Sequence, residues 1–261
     1  MLLNSQQFNA SGRYPLVVLH GLFGSQDNWR SQALTWALDR RVITLDLRNH
    51  GLSAHHAFMD YATMAEDVCH TLDELKLEEI DLLGHSMGGK VAMQLALNQP
   101  QRLRSLLVAD IAPVAYDAHH QTILAGLKSI NLATLKSRQQ ALEQLLQYEP
   151  DVRVCQFLLK SLYRDATGAF ALRYNLDAIE QYYPAISAAP AALVGVSSYV
   201  GSTLVIKGAN SNFILPQHKA TFDAILPHTQ LKIMAGCGHW LHAEKPELFC
   251  RLVTRFLDHL L

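Results

Sequence analysis

The chain has 261 residues, of which 49% are hydrophobic, enough for one α/β domain with an insertion and a sizeable core. Its 22 basic and 23 acidic residues give a net charge of −1 without long runs. That excludes a nucleic-acid binder, which concentrates Lys and Arg on one face. The four cysteines, Cys69, Cys155, Cys237 and Cys250, form no CxxC pair, which excludes a disulfide framework and fits buried thiols in a reducing compartment.

The opening MLLNSQQFNASGRYP lacks the basic start and apolar run of a signal peptide, so the expected location is the cytoplasm. YPLVVLHG and RRVITLDLRNHG are short apolar, β-branched runs closed by glycine, the pattern of buried parallel strands. Helices are expected at QDNWRSQALTWALD and YATMAEDVCHTLDELKL. EEIDLLG reads as the next strand, residues 86–98 as a helix and LRSLLVADIAP as a further strand. Strand and helix alternate at βαβ spacing, so the sheet is expected to be mostly parallel with helices on both faces.

The alternation stops at Pro113. HHQTILAGLKSI, LKSRQQALEQLLQ, VRVCQFLLKSL and LDAIEQYY are helical patterns with little strand between them. PAALVGVSSYVGSTLVIKG is too broken by Ser, Thr and Gly for a membrane helix, which needs about 20 apolar residues, and reads as a loop and a buried strand. A helix near QHKATFDAIL, the strand TQLKIMAG and a last helix from Pro246 complete the chain. The expected division is a core of residues 1–112 and 201–261 with a helical cap insertion at 113–200.

LLGHSMGGKVAMQLAL places one serine, Ser86, on a strand-to-helix turn among Gly84, Gly88 and Gly89. Such a turn holds a hydroxyl clear of the backbone and aims helix N-terminal amides at a carbonyl under attack. Small residues are needed two before and two after the serine, and GHSMG meets that need. His85, its immediate neighbour, points away and suits a packing or hydrogen-bonding role. The base is expected from the loop MAGCGHWLHAEKP, where Gly236 and Gly238 allow a tight turn before His239; His242 is the competing candidate. His239 with His242, His55 with His56 and His119 with His120 have no third ligand at zinc spacing, so no metal site is expected.

LHGLFGSQDNW, DLRNHGLS, GHSMGGK, DIAP and GCGHWLHAEKP together resemble the α/β-hydrolase superfamily, and within it a group of bacterial esterases with mitochondrial relatives. The resemblance implies a Ser–Asp–His triad, esterase or thioesterase activity, no cofactor, and an oxyanion hole from the amides of Leu22 and Met87. The acid usually follows the strand that here reads STLVIKGANSNF, but Ser211 occupies the expected place. Asp110, at the end of the strand LLVAD, faces the same crevice and is the expected acid, with Ser211 as a hydrogen-bonding helper and Asp46 as runner-up.

The expected reaction is hydrolysis of carboxylic esters or acyl thioesters, acyl-CoA included, through an acyl-serine. A serine-triad lyase or C–C hydrolase uses the same residues, and a non-catalytic binder is the reading from another class. An insertion placed after Asp110 lies over the crevice, so its apolar residues Leu124, Leu127, Phe157, Leu158, Tyr163, Tyr182 and Tyr183 are candidates for the acyl pocket. Phe23 and Trp240 are candidates from the core, and Lys90, Lys128 and Lys160 from the basic residues for an anionic carrier.

Overall fold

In the computed structural model, which describes residues 1–9, 11, 14–190 and 198–260, the apolar runs form one seven-stranded sheet. In chain order the strands are β1 (Ser5–Phe8), β2 (Leu16–Leu19), β3 (Val42–Leu45), β4 (Ile80–His85), β5 (Leu103–Ala109), β6 (Leu162–Arg164), β7 (Phe170–Leu172), β8 (Ser202–Gly208) and β9 (Thr229–Met234). The helices are α1 (Arg30–Trp36), α2 (Tyr61–Glu74), α3 (Met87–Asn98), α4 (Gln121–Ser129), α5 (Arg138–Leu145), α6 (Val152–Leu158), α7 (Leu176–Gln181), α8 (Tyr183–Ser187), α9 (Lys219–Ile225), α10 (Leu241–Glu244) and α11 (Pro246–Asp258). The sheet runs β1-β3-β2-β4-β5-β8-β9, parallel throughout except for β1.

Burial explains why these runs are strands. All residues of β2, β3 and β4 are buried, because helices cover both faces of the sheet. α3 is buried along its length apart from Asn98, packed between the sheet, α2 and the insertion. On the opposite face Trp29, Trp36, Phe249, Val253 and Leu257 form a second core under α1 and α11. Strand order reverses about β2: the chain goes outward to β3 and then crosses to β4 on the other side. Such a switch point opens a crevice at the carboxyl ends of the strands.

Two elements differ from the sequence reading. β1 is an edge strand pairing antiparallel with β3; it alternates exposed and covered residues and has no apolar run to announce it. The insertion is not purely helical, since β6 and β7 form a small hairpin closed around Asp165 and Gly168. The strand expected in PAALVGVSSYVGSTLVIKG is β8, whereas residues 191–197 of that stretch lie outside the described residues. Among the described residues no helix is long and apolar enough to cross a membrane.

The segment between β5 and β8 is fastened over the carboxyl ends of the strands. Tyr174 donates its hydroxyl hydrogen to Phe23 O at 2.5 Å, and Tyr116 donates to Phe213 O at 2.5 Å. Tyr61 of α2 bonds the Ile186 carbonyl, and the Asn175 backbone N–H donates to Asn49 O at 3.1 Å. Lys90 of α3 is buried and donates to Ala188 O at 2.6 Å and Ser187 O at 3.3 Å.

Candidate active site

Ser86 stands between β4 and α3 with φ 53° and ψ −121°, a backbone region that costs of order 1–3 kcal/mol and persists only when its surroundings enforce it. The enforcement comes from close backbone approach. A Cβ at Gly84 would sit 2.2 Å from Gly88 O, and one at Gly88 would sit 2.5 Å from His20 O. Only glycine at both places lets α3 start directly beneath β2. The Ser86 N–H donates to Ala109 O at 3.0 Å, and its carbonyl accepts from the N–H groups of Gly89 and Lys90. The hydroxyl is thus the part of the residue that the turn leaves free.

His239, in the loop between β9 and α10, meets that hydroxyl: Nε2 and Ser86 Oγ are 3.0 Å apart. Its Nδ1–H donates to Asp110 Oδ2 at 2.8 Å. Asp110 follows β5, has φ 51° and is fully buried. Its backbone N–H donates to Ile206 O at 2.8 Å, while Oδ1 accepts from the Gly208 N–H at 2.9 Å. The Ser211 hydroxyl donates to the same Oδ2 that receives His239. Three hydrogen bonds to the oxygens of this buried carboxylate satisfy it and fix its orientation without a cationic side chain.

The structure therefore brings Ser86, His239, Asp110 and Ser211 into one hydrogen-bonded line, and it places the alternatives elsewhere. Asp46 accepts from the backbone N–H groups of Gln26 and Leu52 and from the Asn4 side chain, so it ties loops together. His242 stacks on Trp29 with ring centroids 4.3 Å apart and makes no hydrogen bond to Ser86; burial pushes its pKa down to about 3. His85 donates from Nε2 to His239 O at 2.9 Å, so the nucleophile's neighbour positions the base's loop. Phe213 stacks on the His239 ring at 3.9 Å between centroids and limits its rotation.

Leu22 and Met87 donate their backbone N–H groups to no acceptor among the described residues, and Gly21, next to Leu22, approaches the Ser86 side chain closely. Two histidines unassigned by the sequence reading shape this loop. His20 Nδ1–H donates to Gly21 O at 2.8 Å, and its Nε2 accepts from Leu47 N–H at 2.9 Å. His50 accepts from Phe23 N–H at 3.2 Å and donates to Arg48 O at 2.9 Å. Burial lowers their pKa values to about 4 and about 3, which keeps each ring neutral with one donor and one acceptor. Both stand in quoted motifs, LHG and DLRNHG. Tyr174, whose bond to Phe23 O spans 151 positions, had no local signal at all.

A cavity of about 330 Å³ opens onto Ser86 and His239. Leu22, Phe23, Trp29, Phe213 and Trp240 wall it from the core, and His119, His120, Ile123, Val154, Phe157 and Leu158 from the insertion. A smaller one of about 40 Å³ also reaches Ser86 and is lined by Met87, Lys90, Ile111, Tyr116 and Tyr183. Of the lining expected from sequence, Phe23, Phe157, Leu158 and Trp240 are in the larger cavity and Tyr183 in the smaller. Leu124 lines a separate groove on the insertion, and Leu127 is buried. Tyr163 faces the Arg173 guanidinium, and Tyr182 packs on Phe58. Lys90 is spent on the Ser187 and Ala188 carbonyls, Lys128 pairs with Asp177 and Glu180, and Lys160 lines another cavity.

A family model described as the alpha/beta hydrolase family matches residues 16–252. The chain is 35% identical to esterase YbfF of Escherichia coli (strain K12), over 96% of this chain and 95% of that protein. It is 36% identical to the sn-1-specific diacylglycerol lipase ABHD11 of Mus musculus, over 93% of this chain and 80% of that protein. Among solved structures, one described as a marine microorganism esterase superposes with a TM-score of 0.94 at 36% identity, covering 98% of this chain and 99% of that one.

Proposed function

The chain belongs to the α/β hydrolase family, as a member of its esterase and lipase type, and we propose that it cleaves carboxylic esters and acyl thioesters through an acyl-serine at Ser86. The observation that carries this reading is the line Ser86 Oγ, His239 Nε2, His239 Nδ1 and Asp110 Oδ2, with links of 3.0 and 2.8 Å, at the floor of an apolar cavity.

In this reading His239 removes the Ser86 proton as Oγ attacks the acyl carbon, and Asp110 holds the ring and stabilises the imidazolium that forms. The carbonyl oxygen, now an anion, takes the unspent N–H groups of Leu22 and Met87. Collapse expels the alcohol or thiol, which receives the proton from His239; water then repeats the sequence to release the acid. Ser211 supports Asp110 by sharing the load on Oδ2. Residues 113–200 act as the cap over a core of 1–112 and 201–261, excluding water and supplying the Phe157 and Leu158 wall. No metal or cofactor has a part in these steps.

The cavity volume lies at the small end of ligand sites, which favours uncharged short-to-medium acyl groups. Lys90 and Lys128 are already engaged, so acceptance of acyl-CoA rests on the acyl carbon and not on capture of the carrier. The four buried free thiols fit the reducing conditions of a cytoplasm. The test is labelling by a fluorophosphonate probe together with a panel of ester and thioester chain lengths. Each buried CH₂ is worth about 0.8 kcal/mol, so kcat/KM should rise roughly fourfold per methylene until the cavity fills. No labelling of Ser86, or a flat response to chain length, would overturn the reading.

A further inference from the structure

His120 precedes α4 at the edge of the insertion and forms part of the wall of both cavities that reach Ser86. Its backbone N–H and its Nδ1 both meet the Tyr183 hydroxyl, at 3.1 and 2.7 Å. That hydroxyl has one hydrogen to give. It accepts from the backbone N–H, and among the described residues the only acceptor for its own hydrogen is His120 Nδ1. Nδ1 is therefore the bare nitrogen and Nε2 carries the hydrogen. Nε2 has no partner among the described residues and is not sealed from solvent. Phe23 and Tyr183 meet the ring edge to face, at 6.2 and 5.9 Å between centroids, and fix its plane.

We propose that His120 is a specificity residue that touches the substrate: its Nε2–H donates to an acceptor oxygen near the scissile ester, in the alcohol or the acyl portion. The inference rests on the esterase reading and adds a directed polar contact to a cavity walled by apolar side chains and histidines. Burial first, then the neighbouring His119 and His239 rings, oppose a further proton and push the His120 pKa down to about 3, so the donor is a neutral N–H at working pH. A neutral donor rewards an ether, carbonyl or hydroxyl oxygen and gives no special advantage to an anion.

The test compares isosteric esters in which one CH₂ is replaced by oxygen. Butyl pentanoate is measured against 2-methoxyethyl pentanoate for the alcohol side and against butyl 3-methoxypropanoate for the acyl side. The ratio of kcat/KM for ether over methylene is taken in the wild type and in His120→Phe, which cancels the intrinsic reactivity of each ester. In one arm the ratio is expected to fall by about two- to tenfold in the variant, the range of one neutral hydrogen bond. An unchanged ratio in both arms, with full activity, overturns the assignment. A readout independent of turnover is the ¹⁵N spectrum of histidine-labelled protein. It should show His120 as the neutral Nε2–H tautomer from pH 5 to 8, with the preference weakened in Tyr183→Phe. An Nδ1–H tautomer, or a protonation midpoint above 6, would also overturn it. Absence of both turnover and Ser86 labelling instead marks failure of the esterase reading.

Discussion

Lowering the pH from 7 to 5.5 should destabilise this protein strongly, because the active site is framed by histidines that burial keeps neutral in the fold. His20 and His50 have pKa values pushed down to about 4 and about 3, His120 and His242 to about 3, and His85 well below the ordinary value, each chiefly by burial. In the unfolded chain the same residues bind a proton near pH 6.5. Between 6.5 and the folded values the unfolded state holds more protons, so stability rises with pH and is lost as pH falls. The loss does not depend on how far below 5.5 the folded values lie. From pH 7 to pH 5.5 each histidine favours the unfolded state by about 1.3 kcal/mol, and the five by about 6 kcal/mol. That is a large share of an ordinary stability of about 5–15 kcal/mol. Urea unfolding followed by tryptophan fluorescence at the two pH values measures it. His242→Phe should remove about one fifth of the loss, since phenylalanine keeps the packing on Trp29 and Phe249 and binds no proton. A loss below about 1 kcal/mol in the wild type, or an unaltered loss in His242→Phe, would show that these rings are not held neutral by burial.

Ser86→Ala should abolish fluorophosphonate labelling and lower turnover by about 10⁴ to 10⁶ with the fold intact; a variant keeping a tenth of the activity refutes the nucleophile. Asp110→Asn should lower kcat by about 10⁴, whereas Ser211→Ala, which removes one neutral donor to a carboxylate that keeps two others, should cost only about tenfold. Asp46→Asn should lower the unfolding midpoint with little effect on kcat, because among the described residues its carboxylate accepts from Asn4, Gln26 and Leu52 and not from His239; a large kcat loss there would reverse the choice of acid. Gly88→Ala should destabilise by about 1–3 kcal/mol and depress kcat, as the added methyl meets the His20 and Leu19 carbonyls and shifts α3 with the Met87 amide; unchanged thermal unfolding would contradict that packing.

Much of the site was legible because its chemistry is written locally. The turn needs Gly84 and Gly88 within two residues of Ser86, and a buried parallel strand needs an uninterrupted apolar run, so both leave marks a few residues long. The Ser86 turn, the glycine-flanked His239 loop and the parallel order of the core could be read in that way. What the sequence did not reveal depends on partners far along the chain. β1 exists only because β3 offers an open edge, and the β6–β7 hairpin is three residues on each side, too short for a period. Whether Asp110 or Asp46 faces the base was decided by where β5 ends relative to the His239 loop, and the two candidates look alike as isolated aspartates. The lining of the cavity was decided in the same way. Phe157 and Tyr163 are both aromatic and six positions apart in the insertion, yet one walls the site and the other packs against Arg173. Side-chain type determines that such residues are covered, because water expels them all alike; only the packing of helix on helix determines what covers each one.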